Sequence, residues 1–133
     1  MVKSFIVGLF VLQTYMSPQS RILIIDDSPD NVSILSHILH KAGYTQTLGQ
    51  DNSRLALESI RTFKPDLIIL DLMMPEVSGF DILQALPAVT SDPFLPVLVI
   101  TAAPDDSVRK AALSLGASDF LPRPHQPFDV VLR

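Results

Sequence analysis

Two short apolar runs that end in aspartates constrain the fold more than any other feature of this chain. The first run, residues 22–25, is followed by Asp26 and Asp27, and the second, residues 67–70, is followed by Asp71. Runs without polar positions are typical of buried strands in a parallel sheet. Because the carboxyl ends of parallel strands form the functional edge of such a sheet, we expect three carboxylates to meet there.

Three carboxylates at one edge repel each other unless a cation lies among them. A hard divalent ion prefers oxygen ligands, and Mg²⁺ keeps coordination positions open for water or phosphate. The pattern of Asp26, Asp27 and Asp71 therefore predicts a site for Mg²⁺, or for Mn²⁺ in its place.

From Arg21 onward, strand-like runs alternate with segments whose apolar residues recur at helical spacing, which is typical of an α/β sheet. The predicted strands are residues 22–25, 44–48, 67–71, 97–100 and 118–121. Helices are predicted after Ser28, after Asn52 or Ser53, after Gly79 and from Asp105 or Asp106, with Pro87 ending the third. This order predicts a flavodoxin-like (βα)5 doubly wound parallel sheet with strand order 2-1-3-4-5.

The ends of the chain differ from its middle. Residues 1–20 are predicted to be an N-terminal extension, and residues 21–133 one domain. The apolar run 5–12 is far shorter than the roughly 20 residues that span a bilayer. It fits a signal-like segment without a cleavage site, a docking or membrane-surface segment, or translated sequence upstream of a start at Met16, and we favour the last. A fifth helix would begin near Phe128, and we expect it to be truncated and the chain to be a fragment.

Composition excludes several kinds of site. The chain has no cysteine, so disulfides and thiolate metal sites are excluded. The formal charge is −4 and no cluster of lysine and arginine is present, so we expect no direct binding of nucleic acid by this domain.

Four clusters of residues, each at the carboxyl end of a predicted strand, resemble one known family. They are Asp26-Asp27, the run from Asp71 to Gly79, Thr101-Ala102, and residues 116–121 leading to Arg123-Pro124. In this order they resemble the receiver domain of response regulators in two-component signal transduction.

The resemblance implies a role for each acidic residue. Asp71 is expected to be the phosphoacceptor, taking a phosphoryl group from a phosphohistidine or a small phosphodonor. Asp27, Asp71 and the backbone carbonyl of Met73 are expected to bind Mg²⁺ directly, with Asp26 acting through a water molecule.

Four further positions receive roles in the same way. Thr101 is expected to hydrogen-bond the phosphoryl group, while Ala102 leaves room for that group to enter. Phe120 occupies the aromatic switch position, which responds when Thr101 moves. Arg123 stands where the family has lysine, and a planar guanidinium does not replace a compact ammonium without consequence.

The implied function is a cytoplasmic switch that catalyses only its own phosphorylation and dephosphorylation. Its expected partners are a sensor histidine kinase or a phosphotransfer protein and a downstream output domain. The sequence leaves open whether the phosphorylated form is a homodimer. No membrane span is expected.

Two other functions compete with this interpretation. A receiver impaired by Arg123 would serve as a protein-docking module without phosphorylation. An aspartyl-phosphate phosphatase of the haloacid dehalogenase type also places a nucleophilic aspartate after a strand. That enzyme needs a second aspartate two residues later, where this chain has Met73.

Overall fold

Strands and helices alternate along the chain in the computed structural model, which describes residues 16–101 and 105–122, the side chains of Leu121 and Pro122 excepted. The strands in these ranges are β1 Ile22–Ile25, β2 Thr47–Gln50, β3 Leu67–Asp71, β4 Val97–Thr101 and β5 Asp119–Pro122. The α-helices are α1 Pro29–Lys41, α2 Ala56–Phe63, α3 Gly79–Val89 and α4 Asp106–Ser114, and a short 3-10 turn, Ser53–Leu55, precedes α2. Within the described residues, no helix is long and apolar enough to cross a bilayer.

The five strands form one parallel sheet in the order β2-β1-β3-β4-β5, which confirms the predicted fold. The inner strands β1, β3 and β4 are buried along their whole length, as their all-apolar runs predict. Successive side chains point to opposite faces, so the sheet separates two apolar clusters. One cluster contains residues of α2, α3 and α4, and the other contains residues of α1.

Capping side chains define where the helices begin. The Ser28 hydroxyl accepts a hydrogen bond from the Asn31 amide at 3.3 Å, and Pro29 occupies the first turn of α1. At α3, Ser78 and Asp81 form a reciprocal capping box, with distances of 3.2 Å and 3.0 Å. Each helix therefore starts within a few residues of a strand end, close to the carboxyl edge of the sheet.

The second strand differs from the prediction, which placed it over residues 44–48. It spans Thr47–Gln50 instead, and the buried aromatic ring of Tyr44 belongs to the turn after α1. The Tyr44 amide donates to the Leu39 carbonyl at 2.9 Å, and Gly43 has a φ of +101°. Tyr44 is therefore buried as part of the end of α1, and it does not belong to the strand.

The third helix also differs from the prediction, because it runs through Pro87 to Val89. Proline has no backbone N–H and therefore removes one intrahelical hydrogen bond, but the residues after it can still form theirs. Here the Thr90 amide donates to the Leu86 carbonyl at 3.2 Å. Leu86 and Val89 pack against the core, which favours continuing the helix.

Several predictions fall on residues that are not described. These are the N-terminal extension before Met16, the residues Ala102 and Arg123, and the truncated fifth helix near Phe128. They stay predictions.

Gly79 allows α3 to start against the end of β3. Its amide donates to the Leu72 carbonyl at 3.0 Å, closing the loop of residues 72–78. A Cβ at this position would lie 2.5 Å from the Asp71 carbonyl oxygen and 2.7 Å from the Leu72 Cα. Both atoms are backbone, so they cannot rotate away.

We therefore expect Gly79→Ala to lower the free energy of unfolding by about 3 kcal/mol, at the upper end of the cost of overpacking. Urea denaturation measures this loss. Ser78→Ala is the matched control at the same helix start, and it should cost about 1 kcal/mol through the lost cap. Equal losses in the two variants would contradict the steric explanation.

Candidate functional site

Parallel register brings the ends of β1, β3 and β4 together at one edge of the sheet. Ile25 pairs with Leu70, so Asp26 and Asp71 are the next residues of neighbouring strands. Asp71 itself pairs with Ile100, which places Thr101 next on the far side. The predicted meeting of carboxylates at this edge is confirmed.

The three carboxylates form one cluster with mixed exposure. Asp26 and Asp71 are buried, with 2% and 6% of their surface exposed, whereas Asp27 faces solvent. One carboxylate oxygen from each lies within 4.8 Å of the others. Burying two acidic side chains beside a third is costly unless partners or a cation offset the charge.

Backbone amides help to hold the two buried carboxylates. Oδ1 of Asp26 accepts a hydrogen bond from the Ser28 amide at 3.0 Å, which ties it to the start of α1. Oδ1 of Asp71 accepts from the Met73 amide at 3.4 Å. The side chain of Met73 is largely exposed, so the loop turns outward directly after the strand.

The donor set fits a hard cation. Three carboxylates supply only oxygen ligands, which Mg²⁺ and Mn²⁺ accept. The exposed position of Asp27 leaves one side of the cluster facing solvent, where further ligands can enter.

Thr101 has an unusual environment for a hydroxyl group. It is fully buried, and its Oγ1 has no hydrogen-bond partner among the described residues. Buried hydroxyl groups nearly always have a partner. Thr101 ends β4 and follows Ile100, the residue that pairs with Asp71. Its hydroxyl is therefore suited to hydrogen-bond a group that is held on the Asp71 carboxylate.

Phe120 lies on β5, where it pairs with Val99. It is buried in the same apolar cluster as Val99 and Ala112. The helix before this strand, α4, is capped by Asp105, whose carboxylate accepts hydrogen bonds from the Val108 amide and the Ser107 hydroxyl, both at 2.8 Å. These bonds hold the pKa of Asp105 below its usual value.

The loop of residues 72–78 has an anchor that the sequence did not reveal. Ser53, in the 3-10 turn before α2, donates its hydroxyl to the Pro75 carbonyl at 2.9 Å. Beside it, Nε of Arg54 lies 3.2 Å from Oε2 of Glu76. The sequence marks Ser53 only as a helix-start residue, and no local pattern links residues 22 positions apart.

Comparison with known protein families shows to which family the chain belongs. The model of the response regulator receiver domain matches residues 22–133. The chain belongs to the response regulator receiver family.

Curated relatives agree with this membership. The chain is 34% identical over 115 residues to the DNA-binding response regulator MtrA of Mycolicibacterium smegmatis, covering 86% of this chain and 49% of MtrA. It is 34% identical over 111 residues to the chemotaxis protein CheY of Thermotoga maritima, covering 84% of this chain and 91% of CheY. The receiver chain thus spans about half the length of MtrA and most of the length of CheY.

Solved structures share the fold. The chemotaxis protein CheY4 of Vibrio cholerae superimposes with a TM-score of 0.75 at 28% identity, covering 86% of this chain and 93% of CheY4. The signal receiver domain of a Luxo repressor protein from Vibrio parahaemolyticus gives a TM-score of 0.72 at 27% identity, covering 86% and 85% of the two chains.

The acidic cluster generates a prediction about metal binding. We expect Mg²⁺ at about ten times its Kd to stabilise the receiver domain by about 1.4 kcal/mol. A ligand that binds only the folded state shifts the folding equilibrium by an amount that is set by the ratio of its free concentration to its Kd. For a domain of this size, the melting temperature should rise by about 5 °C. Differential scanning fluorimetry with and without Mg²⁺ measures the shift.

Asp27→Asn should abolish most of this shift, because it removes one carboxylate of the cluster. The matched control is Asp51→Asn, which neutralises an exposed aspartate that follows β2 and lies outside the cluster. A shift that survives in Asp27→Asn, or that disappears equally in both variants, would contradict a metal site here.

Proposed function

We propose that this receiver domain is a phosphorylation switch in which Asp71 accepts the phosphoryl group with the help of Mg²⁺. The observation that supports this most strongly is the combination of the acidic cluster with the buried hydroxyl of Thr101, which has no hydrogen-bond partner within residues 16–101 and 105–122. A carboxylate nucleophile, a site for a hard cation and a hydrogen-bond donor for a phosphoryl oxygen are the parts that phosphoryl transfer needs.

In the proposed reaction, a carboxylate oxygen of Asp71 attacks the phosphorus of a phosphohistidine or a small phosphodonor. The bond from phosphorus to the donor atom breaks, and the leaving group keeps the electron pair. Asp27, Asp71 and the Met73 carbonyl would hold Mg²⁺, with Asp26 acting through water. Bound Mg²⁺ would supply charge neutralisation for the nucleophile and the equatorial phosphoryl oxygens.

The remaining residues of the site would bind the product. Thr101 would donate its hydroxyl hydrogen to a phosphoryl oxygen, which gives its buried Oγ1 a partner. Ala102 would leave room for the group, and Arg123 would contact it where the family has lysine. Guanidinium can bind two phosphoryl oxygens at once, so we expect phosphorylation to persist with altered coupling to the output.

Phosphorylation would act as a population shift. An acyl phosphate adds about −1.5 to −2 charges at neutral pH. Movement of Thr101 toward the phosphoryl group would free space for Phe120 to change rotamer, which alters the surface near α4 and β5. In this proposal the domain catalyses only its own phosphorylation and dephosphorylation, and its output is the change of conformation.

The partners follow from the same proposal. A sensor histidine kinase or a phosphotransfer protein would supply the phosphoryl group. MtrA and the transcriptional regulatory protein PhoP of Bacillus subtilis are regulators about twice as long as the matched region. By analogy, we infer control of a downstream output domain or partner in the cytoplasm, with a homodimer as a further form.

Incubation with acetyl phosphate and Mg²⁺ tests the proposed chemistry. We expect the intact mass to rise by one phosphoryl group, and we expect EDTA to prevent the gain. Asp71→Asn should show no gain, since an amide is not a nucleophile here, whereas the Asp51→Asn control should react like the wild type. Failure of the wild type to gain mass would favour the docking module, and steady release of phosphate from generic phosphate esters would favour a phosphatase.

The lifetime of the acyl phosphate gives a second test. Met73 and Ala103 occupy the positions two residues past Asp71 and Thr101, and neither side chain can orient an attacking water by a strong hydrogen bond. We expect slow hydrolysis, and we expect Met73→Asn to accelerate it several-fold by supplying an amide. The decay of phosphorylated mass with time measures both rates. Hydrolysis of the wild type within seconds would contradict this expectation.

A further inference from the structure

A hydrogen bond from a buried serine joins the turn before α2 to the loop of residues 72–78. Ser53 is only 6% exposed, and its hydroxyl donates to the Pro75 carbonyl at 2.9 Å. Because Ser53 is removed from water, leaving its hydroxyl without a partner would be costly. The contact therefore restrains the loop that follows Asp71.

The restrained part of the loop has a strained backbone. The Pro75 carbonyl also accepts a hydrogen bond from the Val77 amide at 2.8 Å, which closes a three-residue turn centred on Glu76. Glu76 has a φ of +70°. A γ-turn with positive φ is rare, and a residue with a side chain adopts it only when surrounding contacts hold it there.

Other contacts in this region hold the turn less firmly. The ion pair of Arg54 with Glu76 joins side chains that are 69% and 58% exposed, and exposed ion pairs contribute little. At the far end, the Gly79 amide donates to the Leu72 carbonyl and closes the loop as a whole. Among the described residues, Ser53 is thus the buried side chain that donates a hydrogen bond to the strained turn.

We propose that Ser53 is a positioning residue for the metal and phosphoryl site. By holding the Pro75 carbonyl, it fixes the path of the backbone over residues 73–76 and so sets the direction of the Met73 carbonyl. This inference rests on the proposed function, in which that carbonyl binds Mg²⁺. Ser53 contacts neither the metal nor the phosphoryl group, and it acts through the loop.

Ser53→Ala tests the role through two measurements. Calorimetric titration should show Mg²⁺ binding weakened about fivefold, the equivalent of one net hydrogen bond of about 1 kcal/mol. Hydrogen exchange of the Val77 amide, followed by NMR without metal, should be several-fold faster, because the strained turn opens more often. Ser53→Thr keeps a hydroxyl donor and should restore both values toward those of the wild type.

Ser59→Ala is the matched control. Ser59 is also a buried serine, 8% exposed, and its hydroxyl accepts from Nε2 of Gln50 at 2.8 Å. This variant should lose stability to a similar extent in urea while it keeps the Mg²⁺ affinity and the Val77 exchange of the wild type. If Ser53→Ala does not fold, Ser53→Cys replaces it, since a thiol has similar size and donates only weakly.

The outcomes separate this inference from the proposed function. Wild-type protein that binds Mg²⁺ and accepts a phosphoryl group, with unchanged affinity in Ser53→Ala, would overturn the positioning role alone. Equal weakening in Ser53→Ala and Ser59→Ala would also overturn it, because general destabilisation would then explain the effect. Wild-type protein that binds no Mg²⁺ would remove the proposed function and the positioning role together.

Discussion

Mutual repulsion among Asp26, Asp27 and Asp71 is the constraint on which the rest of this structure depends. The strands that carry them are buried along both faces, and the pairing of Ile25 with Leu70 fixes how far apart the acidic residues can be. The chain cannot relieve the repulsion by separating the strands without losing its core. Binding of a hard cation would lower the cost, and we propose it as the reason for an acidic cluster at this edge of the sheet.

The loop after Asp71 connects this cluster with the rest of the domain. It begins at the buried Leu72, turns outward at the exposed Met73 and has a positive φ at Glu76. It is followed by Gly79, which packs against the backbone at the end of β3. Such a loop has few ways to keep a defined geometry by itself. Its contacts with Ser53 and with α3 restrain that geometry. This is the basis for the proposal that a residue far from the acidic cluster in sequence influences how the cluster binds its ligands.

The sequence predicted those parts of the structure that depend on local pattern. All-apolar runs predicted β1, β3 and β4. Because parallel strands place their carboxyl ends at one edge of the sheet, the same runs predicted that Asp26, Asp27 and Asp71 lie together. The edge strand β2 was misplaced because its residues are partly exposed and carry little apolar signal. Pro87 was wrongly taken as a helix end, because packing of the last turn outweighed the loss of one hydrogen bond.

Tertiary contacts escaped prediction. Two features depend on how the helices pack against the sheet, which no local sequence pattern predicts. They are the burial of the Thr101 hydroxyl and the hydrogen bond from Ser53 to the Pro75 carbonyl. The central claim is that Asp71, the metal and Thr101 form one phosphoryl-binding site. Amide NMR spectra recorded with beryllofluoride, an analogue of the acyl phosphate, test it most directly. The account predicts that the Asp71, Thr101 and Phe120 signals shift only when Mg²⁺ is also present, and that Asp71→Asn shows no shift. Signals that stay unchanged in the wild type, or that shift equally without Mg²⁺, would contradict it.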